Sequence, residues 1–250
     1  MAFLPCSVTL AFKLGVAMSN RVIRIALLGA ESTGKTSLSQ HITKALLAQG
    51  QMAVYVPEVL REWCQMNGRT PAFHEQRHIA QEQAERIFSI QEGWVIADTT
   101  PLMTAVYSDY VFKDLSLYEE ALGLQAQFDL TLVMGLDVAW MPDGLQRDGE
   151  HVREPVDNLI RQAMSKSQLP FKVIYGQGEA RLSAALLAIS QGVSHLNEPL
   201  DLKFSVPSLQ PTQAQREMSQ YGLNQGKTAW RCDLCSDAEC EHRLFSDLLK

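Results

Sequence analysis

Residues 22–36 read VIRIALLGAESTGKT, an apolar run that ends at Gly29 and passes through a short loop into Gly34, Lys35 and Thr36. The run from Val22 to Leu28 fits a strand buried on both faces better than an alternating surface strand. Gly29 to Thr36 then satisfies the phosphate-loop pattern in full, and a helical pattern follows it. The glycines let the backbone curl so that successive N–H groups point at phosphate oxygens, and the helix N-terminus behind them adds partial positive charge. Gly29, Glu31, Ser32, Thr33, Gly34, Lys35, Thr36 and Ser37 are the expected contacts to a nucleoside triphosphate. Lys35 is expected to bridge the β- and γ-phosphates and the Thr36 hydroxyl to ligate Mg²⁺, which makes ATP and Mg²⁺ the expected cofactors.

Outward from this loop, apolar runs recur at Ala53 to Val56, Trp94 to Ala97, Leu130 to Leu136 and Val173 to Tyr175. Between them lie helical spacings, such as Leu38, Ile42, Ala45 and Leu46, then Ile79, Gln83, Ile87 and Ile90, and later Glu179 to Ser190. Strand and helix alternate. The expected fold is α/β, a P-loop NTPase with a mainly parallel sheet flanked by helices, plus a small cysteine-rich C-terminal tail. The polar stretch Met141 to Arg153, with Asp-Gly at 143–144 and 148–149, reads as a mobile loop at the sheet's carboxyl edge, where α/β proteins place ligands.

A chain of 250 residues accommodates one large α/β domain with an appendage. The 46% hydrophobic and 20% charged content is ordinary for a globular protein, and no stretch after the N-terminus has the apolar length to span a bilayer. A net charge of −6 argues against a broad nucleic-acid surface, so neither nucleic acid nor membrane is an expected partner. Residues 1–20 pass for a poor signal peptide, because Lys13 breaks the apolar run and no basic segment precedes it. Met18 is the better natural start, since a strand and phosphate loop follow at once, and a cytoplasmic location is expected. The division that follows is an N-terminal extension over 1–20, a P-loop domain over 21–192, a Pro-, Gln- and Ser-rich linker over 193–229, and the tail over 230–250.

The loop alone does not decide whether the terminal phosphate goes to water or to an acceptor. The Asn-Lys-x-Asp segment of guanine-specific GTPases does not occur in the sequence. AAA-type motors end an apolar strand in Asp-Glu, whereas Trp94-Val95-Ile96-Ala97-Asp98-Thr99 has no glutamate to polarise water. Transfer to a bound acceptor is favoured.

Four pieces stand in order: GAESTGKT at 29–36, YVPEVLREW at 55–63, ADTTPLMTAVYSDYVF at 97–112 and FDLTLVMGLDVAWMPDGLQRDGEHVRE at 128–154. Together they make the region from Arg21 to Ser190 resemble the ribosylnicotinamide kinase domain of NadR-type proteins, within the wider group of P-loop nucleoside kinases. The His-x-Gly-His signature of the nucleotidyltransferase domain found in longer members occurs nowhere. The resemblance implies an ATP-dependent kinase acting on a nucleoside hydroxyl, with nicotinamide riboside the best single acceptor and NAD biosynthesis the setting.

Glu58 and Arg61 follow the second strand, where a carboxylate can take the acceptor's proton or orient its ribose and an arginine can bind ribose or phosphate oxygen. Asp98 ends the third strand near Thr36, as an indirect Mg²⁺ ligand or as the general base; the sequence leaves open which of Glu58 and Asp98 takes which role. Tyr107 and Trp140 are candidates to stack on a base or pyridine ring, with Tyr107 assigned to substrate. Arg147 and Arg153 lie in the polar loop, whose closure can bring a guanidinium to the transferring phosphoryl group, and Asp143 can hold that loop. The family pattern puts an arginine directly after Asp-Gly-Leu; here Gln146 intervenes before Arg147.

In the tail, Cys232, Cys235, Cys240 and His242 crowd together, while Cys6 and Cys64 are isolated. Three thiolates and an imidazole are the donor set of a closed tetrahedral zinc site; redox-active thiols and an iron–sulfur cluster are the other chemistries open to it. A second functional class is a nucleotide-dependent regulatory ATPase with this tail as a docking module.

Overall fold

A computed structural model of the chain describes residues 21–141 and 149–193. Five strands, β1 (Val22–Leu28), β2 (Ala53–Val56), β3 (Gly93–Asp98), β4 (Leu130–Met134) and β5 (Lys172–Ile174), form one sheet in the order β2-β3-β1-β4-β5. Every pairing is parallel. The helices between them are α1 (Lys35–Ala48), α2 (Val59–Asn67), α3 (Gln76–Phe88), α4 (Pro101–Phe112), α5 (Tyr118–Gln125), α6 (Arg153–Lys166) and α7 (Gly178–Val193).

The central strands are apolar on both faces because both are covered. Ile25, Leu27, Ile96, Leu132 and Met134 pack with Leu38, Ile42, Leu46 and Ile189 of α1 and α7. On the other face Leu28 and Val133 join Leu102, Val106, Val156 and Ile160 of α4 and α6. Val95 and Ala97 meet Ile87 of α3 there as well. Each fully buried Leu or Ile contributes about 1.5–3 kcal/mol, so this two-sided burial is what fixes the strand register.

The chain leaves β1 for the β2 edge, returns through β3, and then crosses to β4 on the other side of β1. Loops at the carboxyl end of β1 therefore diverge, and a crevice opens there.

The sequence-expected elements shift at their ends. β4 stops at Met134 instead of Leu136, because Gly135 donates its N–H to the Ile174 carbonyl at 2.9 Å and the chain then turns. Gly135 lies directly against the Tyr175 ring, leaving no room for a Cβ. α3 stops at Phe88, and Ile90 packs from beyond the helix against Val56, Ile87, Val95 and Ala97. The segment expected as a loop through Arg153 contains regular structure near its end: Glu150–Val152 form a 3₁₀ turn and Arg153 opens α6. No helix among the described residues is long and apolar enough to cross a membrane.

Candidate active site

The loop after β1 is built by residues that no larger side chain replaces easily. A Cβ on Gly29 would stand 2.8 Å from Met134 Cβ and 3.0 Å from Thr33 Oγ1, and Gly34 turns the chain into α1 at φ 80°. Thr33 Oγ1 donates to the Ala30 carbonyl at 2.8 Å, which closes the loop on itself. Lys35 lies across it, its Nζ donating to the carbonyls of Gly29 at 2.8 Å and Ala30 at 3.0 Å. These are contacts a flexible ammonium can exchange for phosphate oxygens. Burial pushes the Lys35 ammonium below its ordinary value, while the carboxylates of Glu58 and Asp98 pull the other way. The Ser32 hydroxyl accepts the Met141 N–H at 2.7 Å, which ties the segment beyond β4 to the phosphate loop. Ser37 faces away, its hydroxyl 3.3 Å from His41 Nδ1.

Asp98 ends β3 with 1% exposure. Its Oδ2 accepts from the Tyr55 hydroxyl at 3.0 Å, and its Oδ1 is buried with no hydrogen-bond partner among the described residues. A buried, half-satisfied carboxylate beside a phosphate loop fits a hard cation such as Mg²⁺, with the Thr36 hydroxyl as the second protein donor.

The backbone directly after Asp98 is held in an unusual state: Thr99 has φ 81°, a region that β-branched residues avoid, at a cost of roughly 1–3 kcal/mol. The neighbours that hold it are visible. The Thr99 N–H donates to the Leu27 carbonyl at 3.1 Å. The Thr100 hydroxyl donates to Gln125 Oε1 at 2.7 Å, and Gln125 Nε2 donates to Thr131 Oγ1 at 2.9 Å. Thr100 also caps α4 by accepting the Leu102 N–H, with Pro101 at the first helical position.

Beside the phosphate loop lies a cavity of about 370 Å³. Lys35 and Glu58 line it together with Arg61 and Cys64 of α2, Tyr107 and Phe112 of α4, and residues 70–72, termed its roof. The roof is knitted by Arg69, which forks onto both oxygens of Glu75 at 2.7 Å and lies 4.7 Å from the Trp63 ring centroid. Glu75 in turn accepts the Ala72 N–H at 2.7 Å. The Arg69 fork holds the Glu75 carboxyl down to about 2, with the Ala72 N–H assisting. Phe73 and Phe112 meet edge to face at 5.9 Å across the rim.

Glu58, at the head of α2, stands 3.6 Å from the Arg61 Nε. Burial raises its carboxyl above the ordinary range; Lys35 opposes that and Asp98 adds to it. A carboxylate with raised proton affinity, lining the same cavity as the phosphate-loop lysine, is equipped to accept a hydroxyl proton.

The structure thus places Lys35, Glu58, Arg61 and Tyr107 on one cavity, which Asp98 does not line, although its charge acts on both Lys35 and Glu58. Trp140 does not line that cavity. Arg153 is not a free loop cation: it is 6% exposed and donates to the carbonyls of Leu136 at 3.2 Å and Val138 at 2.7 Å. Its geometry is that of a brace under the loop's base. Asp143, Gln146 and Arg147 lie outside the described residues, as do Cys232, Cys235, Cys240 and His242. Among the described residues no cluster of three or more His, Cys, Asp or Glu is placed to hold a metal.

Sequence reasoning missed Tyr55, Cys64, the roof at 70–72 and Phe112. Tyr55 had a signal, being the one polar-tipped residue in the short β2 run that immediately precedes Glu58. The roof carried no such signal, because a fork between residues six apart in an irregular segment has no periodicity.

An AAA domain family model, AAA_28, matches residues 24–181. No curated protein matches the chain significantly. Among solved structures, the NadR protein in complex with NR superposes with a TM-score of 0.54 at 18% identity, over 68% of this chain and 50% of that one. This chain therefore corresponds to half the length of that relative, and the likeness is one of fold. Deoxyadenosine kinase from M. mycoides with bound dCTP gives a TM-score of 0.46 at 16% identity, covering 68% of this chain and 100% of that one. Thymidylate kinase from Ehrlichia chaffeensis gives 0.49 at 16% identity, covering 67% and 98%.

Proposed function

The chain belongs to the AAA_28 family of AAA domains, and from that premise we propose that it is an ATP-dependent kinase that phosphorylates a nucleoside hydroxyl, with nicotinamide riboside as acceptor. One observation carries the reading: a single cavity is lined by both Lys35 of the phosphate loop and Glu58, which gives an acceptor room beside the terminal phosphate. A pure hydrolase needs room only for water. A roofed cavity of about 370 Å³ is in the range of small-molecule sites.

In this reading Gly29 to Ser37 wrap the triphosphate and Lys35 leaves the Gly29 and Ala30 carbonyls for the β- and γ-phosphates. Thr36 and Asp98 hold Mg²⁺, which supplies charge neutralisation at the phosphates. Glu58 accepts the acceptor's hydroxyl proton as its oxygen bonds the γ-phosphorus and the bond to ADP breaks. Arg61 orients the ribose, Tyr107 flanks the ring, and the roof keeps water out. Arg147 closes over the transferring group, and Arg153 braces the base of that loop. In the tail, Cys232, Cys235, Cys240 and His242 bind one structural zinc.

The test is incubation with ATP, Mg²⁺ and a panel of nucleosides, with product analysis. A phosphorylated nucleoside formed mole for mole with ADP supports the reading; acceptor-independent release of inorganic phosphate alone overturns it in favour of a regulatory ATPase.

A further inference from the structure

Tyr55 sits on β2, in register with Ile96 of β3, and reaches past the strand end to donate to Asp98 Oδ2 at 3.0 Å. The phenol thus ties the strand before Glu58 to the end of β3. Its partner Asp98 is 1% exposed and keeps its other oxygen, Oδ1, buried and unbonded among the described residues.

A carboxylate at a strand end can rotate about its last bond, and a rotating carboxylate presents either oxygen or both to a cation. With Oδ2 held by a hydroxyl, that rotation is restricted and Oδ1 is the oxygen with both lone pairs unused. A neutral donor does this without the competing positive charge that a lysine or arginine would bring to a cation site.

We propose that Tyr55 is a positioning residue for the metal: its hydroxyl fixes the Asp98 carboxylate so that Oδ1 is presented to Mg²⁺. The inference rests on the reading of Asp98 as the metal's carboxylate, and it adds a residue that the phosphate-loop motif does not contain. Tyr55 does not line the cavity beside the phosphate loop, so its removal is expected to act on the metal-dependent part of binding.

The experiment is calorimetric titration of a non-hydrolysable ATP analogue, in Mg²⁺ and again in EDTA, into the wild-type chain and the Tyr55→Phe and Asp98→Asn variants. The ratio of the two affinities is the metal enhancement. Tyr55→Phe keeps the ring and is expected to cut that enhancement about tenfold, as loss of a partner behind a metal ligand does, with EDTA affinity and Tm near wild type. Asp98→Asn is expected to abolish it. Wild-type enhancement in Tyr55→Phe, with Asp98→Asn still defective, overturns the role of Tyr55 while leaving Asp98 as the metal carboxylate. Equal losses in Mg²⁺ and EDTA, accompanied by a lower Tm, reduce Tyr55 to a structural residue and overturn the proposal. Full enhancement in Asp98→Asn removes the premise and the proposal together.

Discussion

Lys35 has two backbone acceptors, Gly29 and Ala30, exchanged for phosphate oxygens in the proposed reaction, so the lysine's value lies in where its charge goes. Lys35→Ala is expected to lower turnover by at least about 10²–10³, as removal of a preorganised charge at a developing oxyanion does, with the fold retained by circular dichroism. Glu58 and Asp98 should separate by readout. Glu58→Gln lowers turnover at saturating Mg²⁺, because the proton acceptor is lost, whereas Asp98→Asn raises the Mg²⁺ requirement. The pH dependence carries a sign. Burial raises the Glu58 carboxyl, and a base works only when deprotonated, so activity falls as pH drops through a value above the ordinary carboxylate range. A pH–rate profile with its acid limb at or below that range contradicts Glu58 as base. The positions of Lys35, Glu58, Arg61 and Asp98 near the carboxyl edge were legible in the sequence because each lies at or shortly after a strand whose place the apolar runs give away. Arg153 was misread as a loop cation: a lone arginine in a polar stretch carries no mark that its guanidinium turns inward to Leu136 and Val138.

At the scale of elements, β1, the phosphate loop and α1 form a unit that local sequence specifies, since strand, glycine turn and helix start each have their own signals. The roof between α2 and α3 is different. Its shape depends on a fork between residues six apart in sequence, Arg69 and Glu75, with Trp63 beside Arg69, and on the Phe73–Phe112 contact, which alone joins distant segments. No periodicity marks such a fork. The same dependence makes it testable: Arg69→Ala is expected to raise the acceptor's KM severalfold with the KM for ATP unchanged, since the phosphate loop does not touch the roof. An equal change in both constants contradicts a roof that serves the acceptor alone. Protonation acts in the same direction. The Glu75 carboxyl is held down to about 2, so the fork persists above the ordinary carboxylate value and is lost as pH falls through the depressed one.

For the whole molecule, alternation of apolar runs and helical spacings sufficed for a parallel α/β sheet, since strands buried on both faces carry their own pattern. The strand order β2-β3-β1-β4-β5 was not written there, because it follows from which crossovers pack and not from any one segment. Binding should be felt globally: an ATP analogue with Mg²⁺ at about one hundred times its Kd contributes about 2.7 kcal/mol, a rise in Tm on the order of 5–10 °C. The proposed zinc in the tail is checked by metal analysis of untagged protein prepared under reducing conditions, with about one zinc per chain expected. The central claim is that the cavity beside Lys35 and Glu58 receives a phosphoryl acceptor. It is tested most directly by mass analysis of nicotinamide riboside after incubation with the chain, ATP and Mg²⁺. The account predicts the nucleoside plus one phosphoryl group, equimolar with ADP and absent with Lys35→Ala; an unmodified nucleoside in every member of a nucleoside panel, alongside steady ATP hydrolysis, contradicts it.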